Sequence, residues 1–145
     1  MEFEIVRVEA WSEALAGELA RLLPQLSAAA RADADRLRAL VENPCTALFA
    51  ARTAGRIVGM AALAWYDVPT GRKAWIEDVV VDEAARGRGA GRALVAAAIG
   101  EASRIGAGRV WLTSRPARRA ARALYRSMGF EAAETEVFVL KLDRQ

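Results

Sequence analysis

Histidine is absent from all 145 residues, and cysteine occurs once, at Cys45. Without an imidazole, Ser-His-Asp and Cys-His constellations are excluded. Any general acid or base must then come from Glu, Asp, Tyr, Lys, Cys or water. A single cysteine excludes an internal disulfide framework and gives no metal-ligand spacing, so no metal is expected. Lysine is scarce too: all but two of the 21 basic residues are arginine, whose planar fork suits phosphate, although genome composition alone produces the same Ala/Arg bias. The apolar runs are too short to span a bilayer, and Met1-Glu2-Phe3-Glu4 lacks the basic region and apolar core of a signal peptide. A cytoplasmic protein without membrane contact is expected. The formal net charge of +3 is too small to imply nucleic-acid binding without a localised patch. What is present is a globular composition, 54% hydrophobic and 27% charged, on a length that suits a single domain spanning residues 1–145.

Hydrophobic spacing orders the elements. Phe3 to Val8 alternates as a short strand, and Ser12 can cap a helix with Leu15, Leu19, Leu22 and Leu23 on one face, stopping near Pro24. A second helix is predicted from about Ala28 to Val41, ending at Asn43-Pro44. Ala47 to Arg52 and Ile57 to Trp65 read as a hairpin around Thr53-Ala54-Gly55-Arg56, and Lys73 to Val81 as the next strand. Leu94, Val95, Ala98, Ile99, Ala102 and Ile105 follow helical spacing up to Gly106-Ala107-Gly108. Val110 to Thr113 is a short strand. Pro116 opens a last helix carrying Ala120, Ala121, Leu124, Tyr125 and Met128 on one face, and Glu136 to Leu142 alternates as a closing strand. The order βααβββαβαβ, with room for one more short strand near Glu131, predicts an α/β (α+β) fold: a mixed sheet of six to seven strands flanked by about four helices.

Between strand and helix lies the most informative stretch, Val79-Val80-Val81 followed by Asp82 to Ala85 and then Arg86-Gly87-Arg88-Gly89-Ala90-Gly91-Arg92. Glycines at alternate positions let backbone approach a ligand, and the first-turn amides of the following helix lack internal acceptors. With the helix dipole and Arg86, Arg88 and Arg92 around it, this is an anion cradle suited to a pyrophosphate. The P-loop pattern is missing, and the dinucleotide fingerprint started at Gly87 breaks at Arg92.

A strand, Arg-x-x-Gly-x-Gly and a helix, preceded by antiparallel-type strands, resembles the acyl-CoA loop of the GNAT superfamily of N-acetyltransferases, with Arg86 leading and the glycine pair at Gly89 and Gly91. A second motif strengthens the resemblance. Members carry a helix ending in Asn-x-x-Ala-x-x-Leu-Tyr-x-x-x-Gly-Phe, and this chain reads Arg118 through Ala121, Leu124-Tyr125 and Gly129-Phe130, with Arg118 in the asparagine position. The match covers about residues 45 to 142.

The resemblance implies acetyl-CoA as co-substrate, held by the backbone of Val79, Val80 and Val81 along the pantetheine and by the loop from Arg86 to Arg92 at the pyrophosphate. It further implies that the strand bearing Val79 and the strand from Val110 splay apart. Arg118 is carried over as a coenzyme contact. An edge freed in that way can accept an amide-bearing arm as an added strand.

Acetyl transfer to an amine needs a neutral nitrogen, a polarised carbonyl and a proton for the departing thiolate. Glu77 and Asp78 are the nearest carboxylates, on opposite faces of a regular strand, and Glu77 is favoured as base, directly or through water. The run Ile76 to Val81 is similar to a strand of diamine acetyltransferases, which favours small cationic amines. Where some members carry a catalytic glutamate, this chain has Thr113. Tyr125 matches the family's tyrosine proton donor; a phenol, pKa about 10, still holds its proton where a thiol, about 8.5, has ionised. Ser114 could assist, and Cys45 is a poor nucleophile candidate, expected to be a buried or half-buried small residue. Arg115, Arg118, Arg119, Arg122 and Arg126 form a basic helix stripe, a solvated face or a contact for the 3′-phosphate of coenzyme A or an acidic partner. Their alanine neighbours argue against single-stranded nucleic acid. Among the tryptophans, Trp65, with Tyr66, is favoured for the acceptor pocket. The whole reads as an acetyl-CoA-dependent N-acetyltransferase acting by direct attack on a small-molecule amine. A non-catalytic acyl-CoA-binding module and a protein lysine or N-terminal acetyltransferase are the alternatives, and homodimers are common in the family.

Overall fold

The computed structural model describes residues 2–31 and 33–143. They form two compact parts, one ending at Thr113 and one beginning at Ser114. The first holds β1 (Glu4–Arg7), α1 (Glu13–Leu26), α2 (Ala34–Glu42), β2 (Thr46–Thr53), β3 (Arg56–Val68), β4 (Gly71–Val81), α3 (Ala90–Arg104) and β5 (Val110–Trp111); the second holds α4 (Arg119–Ser127). No helix among the described residues is long and apolar enough to cross a membrane.

The sheet runs β1-β2-β3-β4-β5. Its first four strands are antiparallel neighbours; the chain passes from β1 to β2 through α1 and α2, while short turns join β2 to β3 and β3 to β4, the β2–β3 turn placing Ala54 and Gly55 at φ +52 and +74, the mirror-image geometry that suits strand twist. β5 is parallel to β4, which requires a crossover, and α3 supplies it. On one face Leu15, Leu19 and Leu22 of α1 pack against Leu48, Ala50, Ile57, Met60 and Val80. α3 approaches the other: a Cβ on Gly59 would stand 3.1 Å from both Leu94 Cδ1 and the Val80 carbonyl oxygen, so a side chain there would push helix and strand apart by a few tenths of an ångström.

The helix boundaries differ from their sequence signals for identifiable reasons. Ser12 caps α1 as predicted, its Oγ accepting the Leu15 N–H at 3.1 Å. The helix then continues through Pro24 to Leu26 because Leu23 and Leu26 pack into the core, which offsets the one amide bond a proline deletes. α2 begins at Ala34, later than Ala28, because the Asp33 carboxylate caps it by accepting the Arg36 N–H, while Arg31 ties up the Ala28 and Ala30 carbonyls.

The described residues contain a five-stranded sheet, not one of six to seven strands. The alternation from Glu136 to Leu142 marks strand preference, but a strand exists only with a ladder partner, and among the described residues none pairs with it. Val137, Phe138, Val139, Leu140 and Leu142 are consequently exposed, Phe138 at 88%.

Two ionic ties cross the first part. Arg21 of α1 donates to the Asp82 carboxylate and to the Ile57 carbonyl at 2.5 Å, while Glu18 accepts the Ile57 N–H at 3.0 Å. Glu101 of α3, 9% exposed, accepts from Arg7 of β1 at 2.8 Å and from Arg104 Nε at 2.7 Å. Arg104 above all holds the Glu101 carboxyl below its usual range, with burial opposing and Arg7 assisting. A carboxyl depressed in this way stabilises the fold above its unfolded pKa and loses that contribution as pH falls through the folded value. Glu101→Gln should therefore lower the unfolding free energy by roughly 2 kcal/mol near neutrality. In urea titrations the gap to the parent protein should close as pH drops below the ordinary glutamate value of about 4.3.

Candidate active site

β4 carries one residue too many for its partner. The β3–β4 register runs regularly from Val68↔Gly71 to Ala62↔Glu77, then resumes at Met60↔Val80, so Asp78 and Val79 together oppose Ala61. Asp78 takes φ +53, a left-handed conformation that aspartate tolerates better than a branched residue. Glu77 and Asp78 do not simply alternate, and the predicted sharing of a face by Glu77, Val79 and Val81 ends at this bulge. Val80 joins Glu77 on the face of Met60 and Ala62, where α1 packs. The Glu77 side chain still reaches solvent, yet partial desolvation, and then the negative charge of Asp78, raise its carboxyl above the usual range.

On its other side β4 is soon left alone. The parallel ladder consists of Ala74↔Val110 and Trp75↔Trp111, after which β5 ends while β4 continues to Val81. This early end of the ladder falls where the family resemblance expects the two strands to part. Backbone of the Val79 to Val81 stretch faces the gap, and one carbonyl in it, that of Val81, accepts from Arg86 Nε at 3.0 Å.

The Arg/Gly loop follows a single 3-10 turn, Glu83–Ala85, capped by Asp82, whose carboxylate accepts the Ala84 N–H at 3.2 Å. Gly87 and Gly89 adopt φ +79 and +92, and Gly89 forms the N-cap of α3 without any side-chain cap. A Cβ at either glycine would meet nothing within 4 Å, so the demand for glycine there is conformational and the space above the turn is open. Gly91, the second glycine of the motif, lies inside α3, and the left-handed positions of the loop are Gly87 and Gly89. Ala90 is buried and anchors the helix start, while Arg86, Arg88 and Arg92 are exposed around it. An open turn, a long helix lacking a side-chain cap and three guanidinium groups fit a multiply charged phosphate ligand.

The aromatic residues are sorted by the register. Trp65 is 8% exposed and belongs to the core. Tyr66 is 46% exposed, and its hydroxyl accepts from Trp75 Nε1 at 3.1 Å. Trp75 in turn stacks on Trp111, centroids 5.8 Å apart and planes 26° from parallel. Sequence spacing did not distinguish this pair, because the tryptophans meet only across the parallel ladder. Cys45 is exposed, contrary to expectation, since it sits in the turn where its N–H donates to Asn43 Oδ1 at 2.7 Å, ahead of β2.

In the second part, α4 starts after Arg118 and buries Tyr125, whose ring meets Phe130 edge-on at 5.9 Å. Burial raises the Tyr125 phenol above its usual pKa, and the positive charge of Arg118 partly reverses the shift. Arg118 and Tyr125, paired only by motif in the sequence, are thus electrostatic neighbours. Of the basic stripe, Arg115, Arg118, Arg119 and Arg126 are exposed. Ser114 Oγ is buried with no hydrogen-bond partner among the described residues.

Residues 9–130 match the model of the acetyltransferase (GNAT) family, and the chain belongs to that family. A search of curated proteins gives no match. Among solved structures, a transcriptional regulator from Bacillus halodurans C-125 is 25% identical with a TM-score of 0.81, covering 95% of this chain and 100% of its own. The aminoglycoside acetyltransferase meta-AAC0020 from an uncultured soil metagenomic sample, in complex with sisomicin, is 20% identical, with a TM-score of 0.85 and coverage of 98% and 97%. The aminoglycoside N-acetyltransferase AAC(6')-Iy, in complex with CoA, is 19% identical, with a TM-score of 0.78 and coverage of 97% and 95%. The last two share the fold.

Gly89 offers a direct check of the loop. Gly89→Ala should cost about 1–2 kcal/mol in thermal unfolding, from the strained backbone alone. Gly89→Glu should in addition abolish desulfo-coenzyme A binding measured by calorimetry.

Proposed function

We propose that this protein transfers an acetyl group from acetyl-CoA to the primary amine of a small-molecule acceptor by direct attack, with no covalent enzyme intermediate. The observation that carries this reading is the bulge in β4, which sets Glu77 beside an unpaired strand edge that leads straight into the anion cradle. Acetyl-CoA supplies the acyl group as a thioester. The residues from Arg86 to Arg92 hold its pyrophosphate through backbone N–H groups and guanidinium charge, and the Val79 to Val81 backbone aligns the pantetheine arm as an extra strand.

Glu77 takes the proton from the acceptor ammonium, directly or through a water, so that the nitrogen lone pair can form the new C–N bond. A raised carboxyl is the better base for a cationic amine, because a smaller pKa gap separates donor and acceptor. Asp78, next to it, contributes negative charge. The phenol of Tyr125 is the proton source for the thiolate as the C–S bond breaks, and Arg118 keeps the phenol from becoming too weak an acid under burial. The buried, basic surroundings of Tyr125 support the role that the family motif suggests for it.

Two substitutions test the assignment. Tyr125→Phe should lower kcat by about 10²-fold, within the usual range for a lost general acid, with desulfo-coenzyme A affinity unchanged; undiminished turnover would remove the role. Because ionised Glu77 is the active form and its pKa is raised, kcat/KM should fall with acidification from a point above the ordinary carboxylate range. Glu77→Gln should abolish that acidic limb along with most of the rate.

A further inference from the structure

The register that places Glu77 also places the aromatic group described above. Ala62, Ala64 and Tyr66 of β3 lie on one face, and their partners Glu77, Trp75 and Lys73 lie on the same face of β4. Trp111 stands opposite Trp75 on β5. From Lys73 to Glu77 the β4 side chains on this face are therefore an ammonium, an indole and a carboxylate at alternate positions. Successive members lie about 7 Å apart, twice the strand rise. The α1 layer packs around Met60 and Val80 and leaves this end of the face open: Trp75 and Trp111 are half-buried, Tyr66 and Glu77 exposed. Trp75 is fixed in orientation, since its N–H is held by the Tyr66 hydroxyl and its ring by Trp111. A held, half-exposed pair of stacked indoles next to a carboxylate is a preorganised aromatic surface that loses little rotamer freedom when covered.

We infer that Trp75, Trp111 and Tyr66 form the acceptor platform and that the acceptors are arylalkylamines, with the aromatic ring over the indole pair and the amine on a two-carbon arm at Glu77. The inference rests on the acetyl-transfer reading only in naming the nitrogen that reacts. The spacing matches: a ring joined to nitrogen through two carbons spans about the distance between alternate side chains of a strand. Charge then chooses within the cationic amines. The second ammonium of a short diamine would end over Trp75, about 7 Å short of Lys73, a distance at which like charges still repel, whereas an uncharged ring meets no such cost. An alicyclic ring of equal size keeps the apolar burial but loses the quadrupole match of ring on ring. Trp75, Trp111 and Lys73 are thus specificity-determining residues, and Tyr66 is a positioning residue that fixes the Trp75 ring.

Calorimetric titration with 2-phenylethylamine, 2-cyclohexylethylamine and 1,4-diaminobutane, each with and without desulfo-coenzyme A, tests this. The expected order is phenylethylamine tightest, cyclohexylethylamine roughly two- to tenfold weaker, and diaminobutane weakest. Trp75→Leu should bring the first two within twofold of each other, and Lys73→Glu should tighten diaminobutane about tenfold with a much smaller change for phenylethylamine. Tyr66→Phe should weaken the aromatic preference in part. Equal binding of the aromatic and alicyclic amines by the parent protein would overturn the proposal, as would preferred binding of diaminobutane. Both comparisons use the unmodified chain and so survive misfolding of any variant. Loss of coenzyme binding in the same instrument, with amine selectivity intact, would count against acetyl transfer and leave the platform standing.

Discussion

In β4 two residues, Asp78 and Val79, must be accommodated where β3 offers one, Ala61. The ladder absorbs the surplus by setting Asp78 in a left-handed conformation, and everything beyond that point is turned over relative to a regular strand. Without the extra residue, Glu77 and Val80 would point to opposite faces; with it, Val80 enters the α1 core and Glu77 stays on the same side at its margin. The bulge also bends β4 where β5 drops out of the ladder, so a carboxylate, an open strand edge and the start of the Arg/Gly loop occupy one stretch of chain. Bulges are common next to active sites, and here the bulge directly follows the proposed base.

The surrounding fold holds that stretch from both faces. Gly59, directly across from the far end of β4, lets α3 come close enough for Leu94 to touch the sheet, which fixes the height of the helix whose N-terminus forms the cradle. On the opposite side the leucines of α1 seat Val80. The Arg/Gly loop is therefore a short turn between two packed supports.

Local signals carried much of this into the sequence. Ser12, the Ala54-Gly55 turn and the glycine loop act through near neighbours, so the α1 cap, the hairpin and the α3 start were readable from letters alone. The family was readable because two separated motifs, around Arg86 and around Tyr125, fall within one matched span. What escaped depends on pairing. The bulge is defined by register against Met60 and Ala62, the Trp75–Trp111 stack by a parallel ladder of two pairs, and the burial of Trp65 by which face β3 turns inward. For the same reason an alternating run at Glu136 to Leu142 could be recognised as strand-like but not as paired. α2 began late because Asp33 is a better cap than the alanines before it, a competition that periodicity ignores.

The Arg21 bridge gives α1 a stake in a ligand it does not touch. Asp82, the residue that ends β4 and caps the turn before the cradle, is held by a guanidinium from the opposite layer, which also grips the Ile57 carbonyl. Unfolding of α1 would take that guanidinium from Asp82 along with Leu19 and Leu22 from the core, so an anion that binds only the ordered loop would by linkage stabilise the packed α1. By reciprocity, whatever loosens α1 weakens the anion by the same factor. The first helix, far along the chain from the glycine loop, is thereby a thermodynamic partner of the proposed donor site.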